Sequence, residues 1–148
     1  MKINKFLSLF NLRIEKISHN QNFEDILKFL ILKLDVDTVI DVGANIGQFA
    51  KKLRKIGYKK KIISFEPLSK VFNVLEKNSI NDDYWQAMNI AIGDQDGETI
   101  INESNYSLSS SILPMSKLHL EAKENSNYIG KQKVPIKKID TFIDNENL

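Results

Sequence analysis

Apolar positions near the start of the chain recur at helical spacing. Ile3, Phe6, Leu7, Phe10, Ile14 and Ile17 make one stripe of an amphipathic helix. Asn20-Gln21-Asn22 breaks the pattern, and Asn22 caps a second helix with Asp25 at its third position. Phe23, Ile26, Leu27, Leu30, Ile31 and Leu34 give that helix an apolar side wide enough to predict burial on two sides, and Asp35 and Asp37 close it. From Thr38 to Val42 the periodicity is replaced by a continuous apolar run carrying one acid, the mark of a strand covered on both faces. Ile46, Phe49, Ala50, Leu53 and Ile56 restore a helical stripe, with Lys51, Lys52, Arg54 and Lys55 pointing outward. Gly57 ends that helix where a left-handed residue is wanted. Residues 61–65 read as a second strand, Pro67 opens a short helix through Val71, Phe72, Val74 and Leu75 to about Asn78, and residues 85–92 read as a third strand. Parallel crossovers of this kind are right-handed, so the order predicts half of a doubly wound α/β sheet.

Beyond residue 92 the pattern changes. Gly93-Asp94-Gln95-Asp96-Gly97 is a turn, and residues 98–102 form a short strand expected to pair antiparallel with a neighbour. Residues 105–111 are a serine-rich loop, residues 117–130 are polar without clear periodicity, and Val134, Ile136 and Ile139 predict one further strand over residues 131–143. The division this suggests is an N-terminal helical extension over residues 1–35 and a single domain over residues 36–148.

Candidate chemistry concentrates at the ends of the first two strands. Val39-Ile40-Asp41-Val42-Gly43-Ala44-Asn45-Ile46-Gly47 carries an apolar strand into a glycine turn, and Ile62-Ile63-Ser64-Phe65-Glu66-Pro67 ends a second strand on an acid. That order builds a nucleotide pocket at the carboxyl ends of two parallel strands. Gly43 and Gly47 let the backbone turn sharply and approach a ligand. The spacing Gly-Ala-Asn-Ile-Gly is not the three-glycine dinucleotide fingerprint that suits a pyrophosphate. Asp41 is placed to meet a positively charged amino group or to order water beside it. Glu66 is placed to accept hydrogen bonds from both hydroxyls of a ribose, and an acid there repels a ribose phosphate. Together these features favour S-adenosylmethionine over NAD or NADP. The plainer alternative is that Asp41 caps the turn and Glu66 pairs with a lysine.

Composition narrows the remaining classes. With 148 residues and 42% hydrophobic content, the chain can build one domain with a real core. Its 21 basic and 19 acidic residues nearly cancel, which gives no electrostatic warrant for nucleic-acid binding. Lys51-Lys52, Lys59-Lys60-Lys61 and Lys137-Lys138 are read as solvated helix ends and strand edges. The absence of cysteine removes disulfides, thiolate nucleophiles and Cys-type zinc sites, and His19 and His119 share no metal-ligand spacing. Asn11, Arg13 and Glu15 interrupt the first apolar run before it could act as a signal core, and no window is long enough to span a bilayer. A cytoplasmic location is expected, with the first helix packed on the domain or on a partner subunit; a membrane-surface helix is the alternative.

Residues 39–49, 63–67, 85–94 (with Ala91-Ile92-Gly93-Asp94) and Ser109-Ser110-Ser111-Ile112 resemble, in order and separation, the FkbM family of S-adenosylmethionine-dependent methyltransferases. The likeness covers roughly residues 36 to 143. It implies a class I, Rossmann-like methyltransferase fold, a mostly parallel sheet with flanking helices, and methyl transfer to a hydroxyl of a sugar or natural product. By that resemblance Asp41, Gly43, Asn45 and Gly47 line the methionine end of the donor, and Glu66 holds its ribose. Asn89 to Ala91 lie near the adenine and the loop around Ser110 lies by the reaction centre; Ala44 and Pro67, from the same segments, complete the donor-binding set. The resemblance also implies a departure. In the family the strand resembling residues 134–142 is followed by another parallel strand with a Lys-Ile-Asp-like segment and a Gly-Glu, which this chain lacks before Leu148. The expectation is a chain truncated at its C-terminal half, or a first strand whose edge is covered by the N-terminal helices, by residues 131–143 or by another subunit. No residue is assigned as general base; Asp94 and the serine loop are the candidates. Two rival readings stay open: a catalytically inactive binding or interaction module on the same fold, and a nicotinamide-dependent oxidoreductase.

Overall fold

The computed structural model describes residues 23–104, 110–111 and 128–146. The helix expected over residues 3–17, the Asn22 cap, most of the serine loop and both histidines lie outside the described residues.

Three parallel strands form the first sheet, in the order β1 (Thr38–Val42), β2 (Lys61–Phe65), β3 (Trp85–Met88). Helix α1 (Phe23–Lys33) precedes β1, α2 (Gln48–Lys55) connects β1 to β2, and α3 (Ser69–Ser79) connects β2 to β3. β2 lies in the middle, and Ile62, Ile63, Ser64 and Phe65 are all buried. Its alternation sends Ile62 to a core shared with Ala50 and Leu53 of α2, Leu75 of α3, and Trp85. Ile63 and Phe65 face the other way, onto Phe142. Burial on both faces is what a continuous apolar strand in a parallel sheet requires. Among the described residues β1 pairs only with β2, so its outer edge is open. The arrangement is Rossmann-like: a mostly parallel sheet with flanking helices.

The single strand expected over residues 85–92 is two strands. β3 stops at Met88, and β4 (Ala91–Gly93) joins a second sheet in the order β4, β6 (Tyr128–Lys138), β5 (Gly97–Ser104). Asn89 causes the break: its Nδ2 donates to the carbonyl oxygens of Glu66 at 2.8 Å and Pro67 at 3.0 Å. The partner strand has ended there, and a proline offers no N–H to extend a ladder. β5 pairs antiparallel with β6 as expected, and runs longer than the sequence suggested.

The strand expected over residues 131–143 is corrected as well. It ends at Lys138, and Ile139–Glu146 form α4. One carboxylate marks the change, because Asp96 accepts the Lys138 amide at 2.9 Å and the Thr141 hydroxyl at 3.0 Å. Ile139 and Phe142, three apart, then turn onto the sheet, where Phe142 meets Phe65 edge to face with centroids 4.9 Å apart.

Two further expectations fail on packing. Within α1 only Ile31 is buried, while Phe23, Ile26, Phe29, Leu30 and Leu32 are exposed, as is Leu34 just beyond the helix. The helix meets the core through one stripe, Leu27 and Ile31, beside a Glu24–Lys52 ion pair. Arg54 does not point outward. Its Nε and Nη2 donate to the Asp82 carboxylate at 2.6 and 3.2 Å, its Nη1 to the carbonyls of Tyr58 and Lys60, and its Nη2 to that of Tyr84. The fork of donors on one guanidinium thus ties α2 to the amino ends of β2 and β3.

Candidate functional site

The glycine turn folds over the carboxyl end of β2. The amides of Gly43 and Ala44 both donate to the Phe65 carbonyl at 2.9 Å. The turn needs left-handed backbone at three points: Gly43 at φ 73°, Asn45 at φ 50° and Gly47 at φ 85°. Glycine takes such angles freely, and asparagine tolerates them better than other side-chain-bearing residues. Asn45 Oδ1 accepts the amide of Ile46 at 3.0 Å and Nε2 of Gln48 at 3.3 Å, which fixes the turn against the start of α2.

The two glycines face different surroundings. A Cβ at Gly43 would meet nothing within 4 Å. A Cβ at Gly47 would lie 2.6 Å from Cζ2 of Trp85 and 2.9 Å from Cδ1 of Leu75. Gly43 therefore borders free space, and Gly47 sits on the core.

Glu66 joins the turn to the second strand. Its Oε2 accepts the Asn45 amide at 2.9 Å and its Oε1 accepts the Leu68 amide at 3.0 Å. The residue is 6% exposed, and no lysine pairs with it among the described residues. Burial pushes its carboxyl above the ordinary carboxylate value; the Leu68 and Asn45 amides pull it down, and the charge of Asp41 adds to the rise. A carboxylate has about four lone-pair directions, so two accepted amides leave room for further donors. Leu68, extended before α3, takes the N-cap position, which is why that helix starts at Ser69 rather than at Pro67.

Asp41, half-buried at the end of β1, has Oδ2 within 3.3 Å of the Ser64 hydroxyl. Burial raises its carboxyl, and that hydroxyl lowers it. Gly43, Pro67 and Ala91 come together with Val42, Phe65, Ile90 and Ile92 around an apolar cleft of about 100 Å³ at the carboxyl ends of the strands. Asn89 is tied to the backbone of Glu66 and Pro67, as described above. Ser110 is held elsewhere, its Oγ accepting the Ser104 amide at 2.9 Å at the end of β5. Asp94 is exposed on the turn after β4.

A larger hollow of about 530 Å³ lies at the opposite, amino ends of the strands, between Asp37, Lys60, Asp83 and Tyr84. Lys60 is already engaged there by Asp35 at 2.8 Å and Asp37 at 2.7 Å. Ligands of open α/β sheets bind at the carboxyl ends, where the acids and the glycine turn meet. Among the described residues no cluster of three or more His, Asp or Glu could hold a metal ion. No helix among them is long and apolar enough to cross a membrane.

Sequence reasoning missed the roles of Ser64 and Trp85. Trp85 Nε1 donates to Ser64 Oγ at 3.0 Å beneath the turn. The available signal was a lone hydroxyl in an otherwise apolar central strand.

A family model described as Methyltransferase FkbM domain matches residues 41–148. The match begins at Asp41 and takes in the glycine turn, Glu66 and both strands of the second sheet that flank the loop. No curated protein matches the chain.

Proposed function

The chain belongs to the FkbM methyltransferase domain family, and from that premise we propose that it uses S-adenosylmethionine, held over the glycine turn, to methylate a hydroxyl of a sugar or natural product. Glu66 carries this reading. It is a buried carboxylate, anchored by the amides of Asn45 and Leu68, at the point where turn and second strand meet, with acceptor capacity left for a ribose diol.

The other residues fit the same ligand. The open space over Gly43 admits it to the backbone. Asp41 offers a carboxylate to the ammonium of the amino-acid portion, and one of its oxygens already accepts from Ser64. The apolar cleft beside Pro67, Ile90 and Ala91 suits an aromatic base, and at about 100 Å³ it takes that part alone, the rest extending over the turn. Ala44, Asn45 and Gly47 shape the turn, and Asn89 holds the Glu66–Pro67 backbone in place. When bound, the donor supplies an electrophilic methyl on a sulfonium. The protein's part is then to hold donor and acceptor hydroxyl in line and exclude water. In this reading residues 36–148 are the donor-binding domain, acting in the cytoplasm, and residues 1–35 an extension of it.

The outer edge of β1, unpaired among the described residues, favours a second reading, a binding module on this fold that performs no transfer. Calorimetric titration with S-adenosylhomocysteine, with NADH as control, separates them. Saturable binding of the former alone, weakened by Glu66→Ala, supports the methyltransferase reading and justifies an acceptor screen. A folded chain that binds neither is the module, and NADH binding would point to an oxidoreductase.

A further inference from the structure

A buried serine of the central strand β2 meets a buried tryptophan that opens β3. Ser64 has no exposed surface and Trp85 is 6% exposed. An indole N–H can only donate, so Ser64 Oγ, 3.0 Å from Trp85 Nε1, is the acceptor in that bond. The Ser64 proton is thereby left for another acceptor, and Asp41 Oδ2 lies 3.3 Å away. The strand register sets Asp41 directly opposite Ser64, so the approach is built into the sheet. Among the described residues, the other Asp41 oxygen accepts no hydrogen bond. The direction of each bond is thus fixed along Trp85, Ser64 and Asp41, with one carboxylate oxygen held and one open. The same indole supports the turn from below, because it fills the space where a side chain at Gly47 would stand.

We propose that Ser64 and Trp85 are positioning residues for the donor: they hold the Asp41 carboxylate in the orientation that meets the ammonium of the donor's amino-acid portion. This rests on the reading of Asp41 as that ammonium's partner. A hydroxyl bonded to a carboxylate that can turn freely would serve less well, because the orientation would have to be restricted on binding.

Two ligands isolate the effect. S-adenosylhomocysteine carries the amino-acid portion, and 5′-methylthioadenosine keeps the nucleoside without it. Calorimetric affinities for both are compared in the full chain and in Asp41→Asn, Ser64→Ala and Trp85→Phe, each first shown to be folded by circular dichroism. The expected result is that Asp41→Asn abolishes the preference for S-adenosylhomocysteine. Ser64→Ala should lower affinity for it about tenfold, the effect of one hydrogen bond to a charged group, and Trp85→Phe, which removes only the neutral bond behind it, about threefold, with methylthioadenosine affinity within about twofold for both. Equal weakening for both ligands would mean that Ser64 and Trp85 only support the fold, and would overturn the proposal. It would be overturned too, with the donor reading intact, if Ser64→Ala and Trp85→Phe kept the preference that Asp41→Asn lost. A preference that survives in Asp41→Asn, or the binding of neither ligand by the full chain, would remove the donor reading and the proposal with it.

Discussion

Glu66 Oε2 accepts the backbone amide of Asn45 across 2.9 Å, linking two residues 21 positions apart. Through this bond the acid that ends the second strand's run holds the left-handed residue of the glycine turn. A group read from the sequence as a ligand contact is therefore part of the scaffold. Glu66→Ala leaves the amides of Asn45 and Leu68 without their acceptor in a buried setting. It should cost about 2 kcal/mol in urea unfolding as well as at least tenfold in affinity for S-adenosylhomocysteine. Glu66→Gln, which keeps an acceptor oxygen, should recover part of the stability.

The two glycines separate open space from core space. Gly43→Ala places its methyl in open space at a left-handed angle, and should cost only about 1 kcal/mol of stability while lowering donor affinity. Gly47→Ala drives a methyl into Trp85 and Leu75, and should cost about 2–4 kcal/mol from overpacking plus backbone strain. Trp85 is the chain's one tryptophan, so its emission should move in Gly47→Ala and stay put in Gly43→Ala. Urea melts followed by that emission measure both effects.

Acid should release the ligand before it unfolds the chain. Burial raises the Asp41 and Glu66 carboxyls above 3.8 and 4.5, so the folded state binds their protons more tightly than the unfolded chain does. Their effect on stability is therefore favourable below those ordinary values and is lost as pH rises through the raised ones. Asp82 behaves oppositely: the Arg54 side chain lowers its carboxyl, and the resulting stability is full above 3.8 and lost as pH falls through the lowered value. As pH falls towards 4.5, affinity for S-adenosylhomocysteine should drop while circular dichroism stays native. Calorimetry and dichroism on the same samples test this; loss of both signals together would refute it.

Arg54 should matter more than its place on a lysine-rich helix face suggests. Arg54→Ala takes the cation from the Asp82 carboxylate and a donor from the carbonyls of Tyr58, Lys60 and Tyr84, and should cost about 2–3 kcal/mol. Arg54→Lys should recover only a fraction, because one ammonium cannot reproduce the fork. Chemical denaturation of the three proteins checks the order.

The contrast between Arg54 and Gly57 shows what the sequence made legible. Gly57 ends its helix at φ 98°, and the residue type alone dictated that. The core of the first sheet followed in the same way, from uninterrupted apolar strands with glycine and proline between them. What escaped depended on partners distant in sequence. Asn89 breaks a strand by bonding residues 22 and 23 positions away. Asp96 turns a strand into α4 through residues 42 and 45 positions on. The stripe on α1 gave an apolar face without saying what meets it, and only Leu27 and Ile31 reach the core. Among the residues proposed to hold the donor, Asp41, Gly43 and Glu66 stood out in the sequence because strand ends and turns select residue types locally. Ser64 and Trp85 were not, since a buried hydroxyl and an indole acquire a role only through each other.

Backbone amide chemical-shift mapping during titration with S-adenosylhomocysteine tests the central claim most directly. Perturbations should concentrate at Gly43 to Gly47, at Glu66 and Leu68, and at Asn89 to Ala91, with Asp37, Lys60 and Tyr84 at the opposite end of the sheet unmoved. Perturbations centred on Asp37, Lys60 and Tyr84, or none at saturating ligand, would contradict it.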